Sequence, residues 1–432
     1  MAKIIVVGGG FAGLSASVFL SDKGHNVKLI EASPKLGGRA YSFDYNIYDT
    51  TVDNGQHIMM GCYLFTLEFL ELIKSTDKIE IQSYLNIDFV ARDKKKYQLS
   101  TEGVTYPFNI LSALKNYDAL TNLEKFQVVK LFLKIAVCNP LHYNNISTKE
   151  FLAMHHQSQN SIDTLWDIIH VGTMNCKLNE SSAEIFLRIL KEIFFTVDES
   201  TRIVLPKTGL SEIYIDQSAK FLTERNSSIS LSEKLISINF DNDSSIARSI
   251  LTNQNAYNDF DYLFIAIPPH QLEKILKESN IKFELPFYEY SSILNVHLWL
   301  DQNPFRQSFY GLINSKIHWL FNHGKHITLT TSSADELIEL NDEEIIDIIK
   351  KELTKYFSEF QTVRIIDKLI IKEKRATFKP TIDNCNQRKK IPHNIGNIHF
   401  VGDWTNTGFP ATIEGAVKSS AISVDILSEN LK

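Results

Sequence analysis

The residues "KIIVVGGGFAGLSASVFLSDKG", Lys3 to Gly24, decide the architecture of the chain. Lys3 to Val7 is apolar without alternation, the pattern of a parallel strand buried on both faces. Gly8, Gly10 and Gly13 come next, in the spacing G-x-G-x-x-G. Each answers a separate demand: a tight turn, a backbone that approaches a pyrophosphate, and a helix packed close on its strand. Leu14, Val18 and the Ala16–Leu20 pair recur at helical spacing, and Gly24 stops the helix. Val27 to Ile30 reads as a second strand ending at Glu31, 18 residues past Gly13. An acid there accepts bonds from ribose hydroxyls. Strand, glycine turn, helix, strand and acid in that order predict a Rossmann-like α/β sheet. Gly8, Gly10, Ala12, Gly13 and Glu31 line its dinucleotide site.

The residues after Glu31 and those near the C-terminus narrow the dinucleotide. In "ASPKLGGRAYS", Gly37 and Gly38 form another close-approach turn, and Arg39 offers a charge-assisted donor to a pyrophosphate. In "NIHFVGDWTNTGFPATIEGAVKSSAISVDIL", Ile398 to Val401 reads as a strand, Gly402 as a turn, and Asp403 as a partner for a polyol hydroxyl. Thr412 to Leu427 reads as a helix whose positive N-terminal end suits the negative edge of a reduced flavin. Nicotinamide sites need no such second, distant element, so FAD is the expected cofactor.

Composition bounds the rest. The 432 residues are 44% hydrophobic and 22% charged, ordinary for a globular chain of two or three domains. The net charge of −6, without a basic block, argues against nucleic acid. Cys62, Cys138, Cys176 and Cys385 lie far apart, with no metal knuckle, and read as free thiols of a reducing cytosol. No apolar run of about 18 residues is present to span a membrane as a helix. The expected location is therefore cytoplasmic, or peripheral on the inner face of the membrane.

Together these stretches resemble the flavin-containing amine oxidase and phytoene desaturase superfamily. The marks are "VVGGGFAGLSA", "EASPKLGGRA", "FIAIPPHQL" and "FVGDW…TIEGAV". Within it, "VDNGQHIMMGCY", "LPKTGLSEIYIDQSAKFL", "KRATF" and "GDWTNTGFPATIEGAVKS" are similar to one branch, the squalene-associated hydroxysqualene dehydroxylases of bacterial hopanoid pathways. The resemblance implies a glutathione-reductase-type βαβ unit with a β-meander, interleaved with an α+β substrate domain. It implies FAD, hydroxysqualene as a long-chain isoprenoid alcohol substrate, squalene as product, and prenyl synthases supplying the substrate. It also places a backbone contact to adenine at Leu235. "VDNGQH" falls beside the flavin, which brings Asp53, Gly55, Gln56 and His57 to the redox centre, and Gly38, Gly402, Thr412, Ile413 and Glu414 to the cofactor. Amine oxidases carry a lysine near the flavin where this chain aligns Asn295. "DNCNQ", around Cys385, does not resemble a covalent-flavin motif. Both point to non-covalent FAD and away from amine oxidation.

The expected division gives residues 1–72, 205–275 and 392–432 to the FAD domain. Residues 73–204 and 276–391 go to the substrate domain, helical in its first part and mixed in its second. "EKLISINF", "SIARSIL" and "DYLFIAI" read as three strands separated by the turn-rich "DNDSS" and "NQNAYND". Pro268 and Pro269 read as a strand end.

The implied reaction removes an allylic hydroxyl, which leaves more easily as water than as hydroxide. A proton donor is therefore required, and the cation left behind takes hydride from reduced FAD. His57 is the expected acid, tuned by Asp53; the alternative makes both residues structural contacts of the cofactor. Glu414 has two readings as well, a group near the flavin or an ordinary first-turn carboxylate. Val128 to Val137, with Lys130 and Lys134, is a core helix or a membrane-surface helix. His155, His156, His323 and His326 lack metal-ligand spacing. Three rival functions remain: an isoprenoid desaturase, an amine oxidase, and a flavin protein that carries lipid without catalysis.

Overall fold

The computed structural model describes residues 1–241, 246–279, 285 and 287–431. Its central six-stranded sheet runs in the order Ser228–Ser230, Asn26–Ile30, Lys3–Val7, Tyr262–Ile265, Ile398–Phe400 and Asn394–Ile395. The first five are mutually parallel and the last pairs antiparallel. Lys3–Val7 thus sits between a neighbour from the start of the chain and one from its middle, and the C-terminal strand lies one step further out. Phe11–Asp22 forms the crossover helix. It is buried almost all round, as an apolar helix must be when packed on more than one side. The C-terminal helix Ile413–Asn430 lies against it. Ser420 Oγ fixes the contact by donating to the Ala12 carbonyl at 2.7 Å, and Ser419 Oγ ties the helix to the preceding turn by accepting from Gly402 N at 2.7 Å.

The second large sheet has seven strands, ordered Ile365–Phe378, Tyr290–Leu300, Ile327–Ser332, Trp319–Asn322, Phe309–Leu312, Asn86–Val90 and Lys96–Ser100. Helix Asp342–Tyr356 covers it through Ile345, Ile349 and Leu353. A separate helical core gathers Asn122–Val137, Thr148–Met154 and Ala183–Phe194 around Phe132, Trp166 and Phe186.

Three expectations change. The stretch after residue 73 is not helical at first: Asn86–Val90 and Lys96–Ser100 form a hairpin that joins the later sheet through parallel pairing of Phe89 with Gly311. "DYLFIAI" is not the third strand of the meander. Tyr262–Ile265 belongs to the central sheet, and the meander closes with Ala256–Tyr257. Pro268 and Pro269 end no strand but open helix Pro269–Glu278, since the fixed φ of proline suits the first helical turn. Ile365–Phe378, the longest strand at 14 residues, carries "KRATF" at its end. In "DNDSS", residues 242–245 lie outside the described residues.

Candidate active site

The glycine turn and Glu31 form one unit. Gly9 N donates to Glu31 Oε2 at 2.6 Å, and Ser33 N to Oε1 at 2.7 Å. Each oxygen keeps lone-pair capacity for a further donor. A side chain at Gly13 would overlap the Gly8 carbonyl, so the close helix–strand approach admits only glycine there. Gly10 differs: the nearest atoms to a Cβ built on it are Gly38 Cα at 3.8 Å and Gly37 O at 3.9 Å. Nothing in the protein itself forbids a side chain at position 10, which faces space between the two glycine turns. Leu235 opens the strand Leu235–Phe240 and is buried. The segment before it is tied to the acid by Glu233 N donating to Glu31 O at 2.9 Å.

The two ends of the chain meet beside this turn. Arg39 Nη2 donates to Asp403 Oδ2 at 2.7 Å, and Nη1 to the Ala376 carbonyl at 2.7 Å. The neighbouring Asp403 raises the Arg39 pKa further. The two residues, each expected on its own to contact the cofactor, hold one another. Thr412 caps the C-terminal helix, its Oγ1 accepting from Gly415 N at 3.0 Å. The orphan N–H groups of that first turn, Ile413 among them, point out of the helix as donors for an anion. Glu414 faces elsewhere. Its carboxylate accepts from Phe65 N at 3.1 Å, Thr66 N at 2.9 Å and Thr66 Oγ1 at 2.7 Å. It therefore caps helix Leu64–Leu72 from outside, and the side chain is fully committed there.

The stretch Asp53 to Met60 crosses between the two sheets. Gly55 has φ +107°, and a Cβ there would stand 2.7 Å from Asn295 Nδ2. Asn295 is buried in the strand Tyr290–Leu300. Its Oδ1 accepts from Thr330 Oγ1 at 2.8 Å and from Gln56 N at 3.4 Å. Asn295 thus pins the loop Gly55–Gln56 from the seven-stranded sheet. Met59 and Met60 form a short strand on Val204 and Ile203. Alternation sends Met59 into the core of the central sheet and Met60 onto the helical core.

Asp53 and His57 do not form the expected pair. Asp53 Oδ1 accepts from Ser42 Oγ at 2.6 Å and Leu210 N at 3.0 Å, while burial raises its pKa. That carboxylate holds the Ser42 hydroxyl and the Leu210 amide. His57 Nε2 is buried with no partner. Burial, helped by the positive charge of Arg39, pushes the imidazole down to about 4. The ring is neutral at pH 7, a hydrogen-bond donor and acceptor rather than a reservoir of imidazolium.

Two positioning residues escape a reading of the sequence. Tyr214 Oη donates to the carbonyls of Gly37 and Ala40, at 2.9 and 2.5 Å, and its ring stacks on Phe11 at 3.6 Å. Arg388 is fully buried, over the Phe378 ring. It donates to the carbonyls of Phe409 at 2.7 Å, Asp403 at 3.0 Å and Thr405. One guanidinium thereby gathers the loop from Gly402 to the C-terminal helix. Tyr214 lies inside "LPKTGLSEIYIDQSAKFL", so its motif, though not its role, is visible in the chain. Arg388 lies in "NQRKK", where the neighbouring charges give no such signal.

Open space at Gly10, the unpartnered His57 Nε2 and the free helix N-terminus fit a dinucleotide laid along the junction of the two ends. Among the described residues no group of three His, Cys, Asp or Glu side chains is arranged to hold a metal. All four cysteines are free and buried.

Such a fold and site define an FAD-dependent oxidoreductase. The chain belongs to the flavin containing amine oxidoreductase family, whose sequence profile matches residues 11–426. It is 24% identical to the hydroxysqualene dehydroxylase of Sinorhizobium fredii and 23% to that of Zymomonas mobilis, covering 99% of both chains in each case. It is also 24% identical to the 15-cis-phytoene desaturase of Solanum lycopersicum, over 99% of this chain and 78% of that one. Among solved structures it resembles an oxidoreductase from Methanosarcina mazei, with TM-score 0.73, 15% identity, and 98% and 100% of the two chains covered. It also resembles a putrescine oxidase bound to putrescine, with TM-score 0.69, 15% identity and 99% of each chain.

Proposed function

We propose that this enzyme removes the allylic hydroxyl of hydroxysqualene reductively to give squalene, as a step of bacterial triterpenoid (hopanoid) synthesis. The observation that carries the reading is end-to-end similarity to hydroxysqualene dehydroxylases, 99% of both chains, where the desaturase is matched over 78% of its length. FAD, bound without a covalent link, supplies the two electrons when reduced. In this reading Gly8, Gly10, Ala12 and Gly13 admit its pyrophosphate with Gly38, Glu31 takes the ribose, and Leu235 meets the adenine. Gly402 and Asp403, with the helix N-terminus at Thr412 and Ile413, lie at its ring end. The chain's own residues then divide the remaining work. Asn295 and Gly55 hold the Gln56–His57 backbone in place. His57, neutral, would orient the departing hydroxyl through an imidazole N–H hydrogen bond, the proton that makes it water coming from the fully reduced flavin, which carries one beside its hydride. Asp53 holds the Ser42 hydroxyl and the Leu210 amide instead. Met60 and the helical core offer apolar walls to the hydrocarbon. Prenyl synthases are the partners that would deliver the alcohol, at the inner face of the membrane.

Product analysis tests this. Anaerobically reduced enzyme with hydroxysqualene should yield squalene, and oxidised enzyme with phytoene should yield no desaturated product. The reverse result would establish the desaturase. Hydrogen peroxide released with amines would establish the oxidase.

A further inference from the structure

Helix Asn122–Val137 has two apolar faces. Val128, Leu131, Phe132 and Ile135 are buried in the helical core, which is the core-helix reading of the sequence. A second stripe, Leu123, Phe126, Lys130, Leu133 and Val137, follows the 3-4-3-4 spacing of a single helix face. Its apolar members are exposed by 66, 67, 56 and 82%. The charge on this face is of one sign. Lys130 and Lys134 enter no ion pair among the described residues. The only acid of the helix, Glu124, is buried in the capping box with Thr121 and bonded to Ser158.

We propose that this face docks the protein on an anionic lipid surface. Phe126, Leu133 and Val137 would enter the interface, with Lys130 and Lys134 at the headgroups. A protein of net charge −6 is repelled by such a surface as a whole, so a local cationic patch beside apolar side chains is what adhesion requires. A second copy fits poorly. Lys130 stands at the centre of the stripe, and a two-fold contact along it would set Lys130 against Lys130. The proposal rests on the functional reading for its purpose, since hydroxysqualene dissolves in bilayers.

Flotation of the FAD-loaded enzyme with vesicles tests it. Vesicles of phosphatidylcholine with phosphatidylglycerol should carry the protein, those of phosphatidylcholine alone far less, and salt should release it. Phe126→Ser with Leu133→Ser should weaken binding at least about tenfold. Each of Lys130→Gln and Lys134→Gln should weaken it about fivefold. Both sets should keep the circular dichroism spectrum and the turnover of detergent-solubilised hydroxysqualene. Wild type that stays behind, or variants that float as well as wild type, overturn the proposal. So does a wild-type dimer that the Phe126 and Leu133 changes dissolve. Protein that floats but turns over no hydroxysqualene upholds the face and overturns the substrate reading instead.

Discussion

The two halves of the molecule use their polar side chains differently. Around the central sheet, polar groups hold backbone: Glu31 the Gly9 amide, Asp53 the Leu210 amide, Glu414 a helix end, and Arg388 three carbonyls. Around the seven-stranded sheet buried rings cluster instead, His323 on His326 and His326 on Trp299, although the central sheet has unpartnered rings of its own at His399 and Trp404. His297 Nε2, His326 Nδ1 and Trp299 Nε1 have no partner. His297, His318 and His323 are held down to about 4 and His326 to about 3 by burial. A site for a rigid, polar cofactor is built by fixing backbone in advance.

This contrast orders the variants. Gly13→Ala, which drives a methyl into the Gly8 carbonyl, should have the largest effect: protein without bound flavin, read as loss of visible absorbance. Arg388→Met leaves buried carbonyls unpaired and should cost roughly 3 kcal/mol or more. It should appear as a lower Tm with flavin released early in the melt. His57→Gln should lower hydroxysqualene turnover by about a hundredfold, with flavin content unchanged. Asp53→Asn should do the opposite, lowering Tm and leaving turnover near wild type, because the carboxylate holds Ser42 and Leu210 rather than His57. Equal losses of turnover in both would restore the Asp53–His57 couple. Thr412→Val removes one helix cap and should cost only about 1 kcal/mol.

Acid should destabilise both regions together. A histidine with a folded pKa near 4 and an ordinary unfolded value near 6.5 binds its proton only on unfolding. The stability it confers is therefore intact above pH 6.5 and falls as the pH drops towards 4. His170 in the helical core, held down to about 3, adds to the trend. His57 and His399, beside and within the central sheet, are held down to about 4 as well. Trp404 packs there while Trp166, Trp299 and Trp319 lie elsewhere, so tryptophan emission and bound flavin should be lost over the same pH range. Emission and flavin that both hold steady down to pH 4 would contradict it.

The cofactor half was legible because its demands are local. A glycine that must lie against a carbonyl, or an acid at the end of a second strand, is written at one place in the chain. What joins these pieces was less visible. Arg39 and Asp403 each read as a ligand contact, and only the fold shows that they grip one another across 364 residues. Glu414 reads as a first-turn acid, yet it caps a different helix. The substrate half hid more. Lys96–Ser100 alternates lysine, tyrosine and glutamine and becomes a strand only because Asn86–Val90 pairs with Phe309–Leu312, over 200 residues away. Ile365–Phe378 is rich in lysine and shows its strand character only through its pairing with Tyr290–Leu300. The helices Asn122–Val137 and Ala183–Phe194, whose apolar spacing is local, were legible throughout.

The central claim is that FAD held by the joined chain ends hands two electrons to an allylic alcohol. A single turnover tests it most directly: photoreduced enzyme mixed with hydroxysqualene under nitrogen, with flavin absorbance and extracted product followed together. The oxidised flavin spectrum should return as one squalene forms per flavin. Flavin that stays reduced while hydroxysqualene is recovered intact would contradict it.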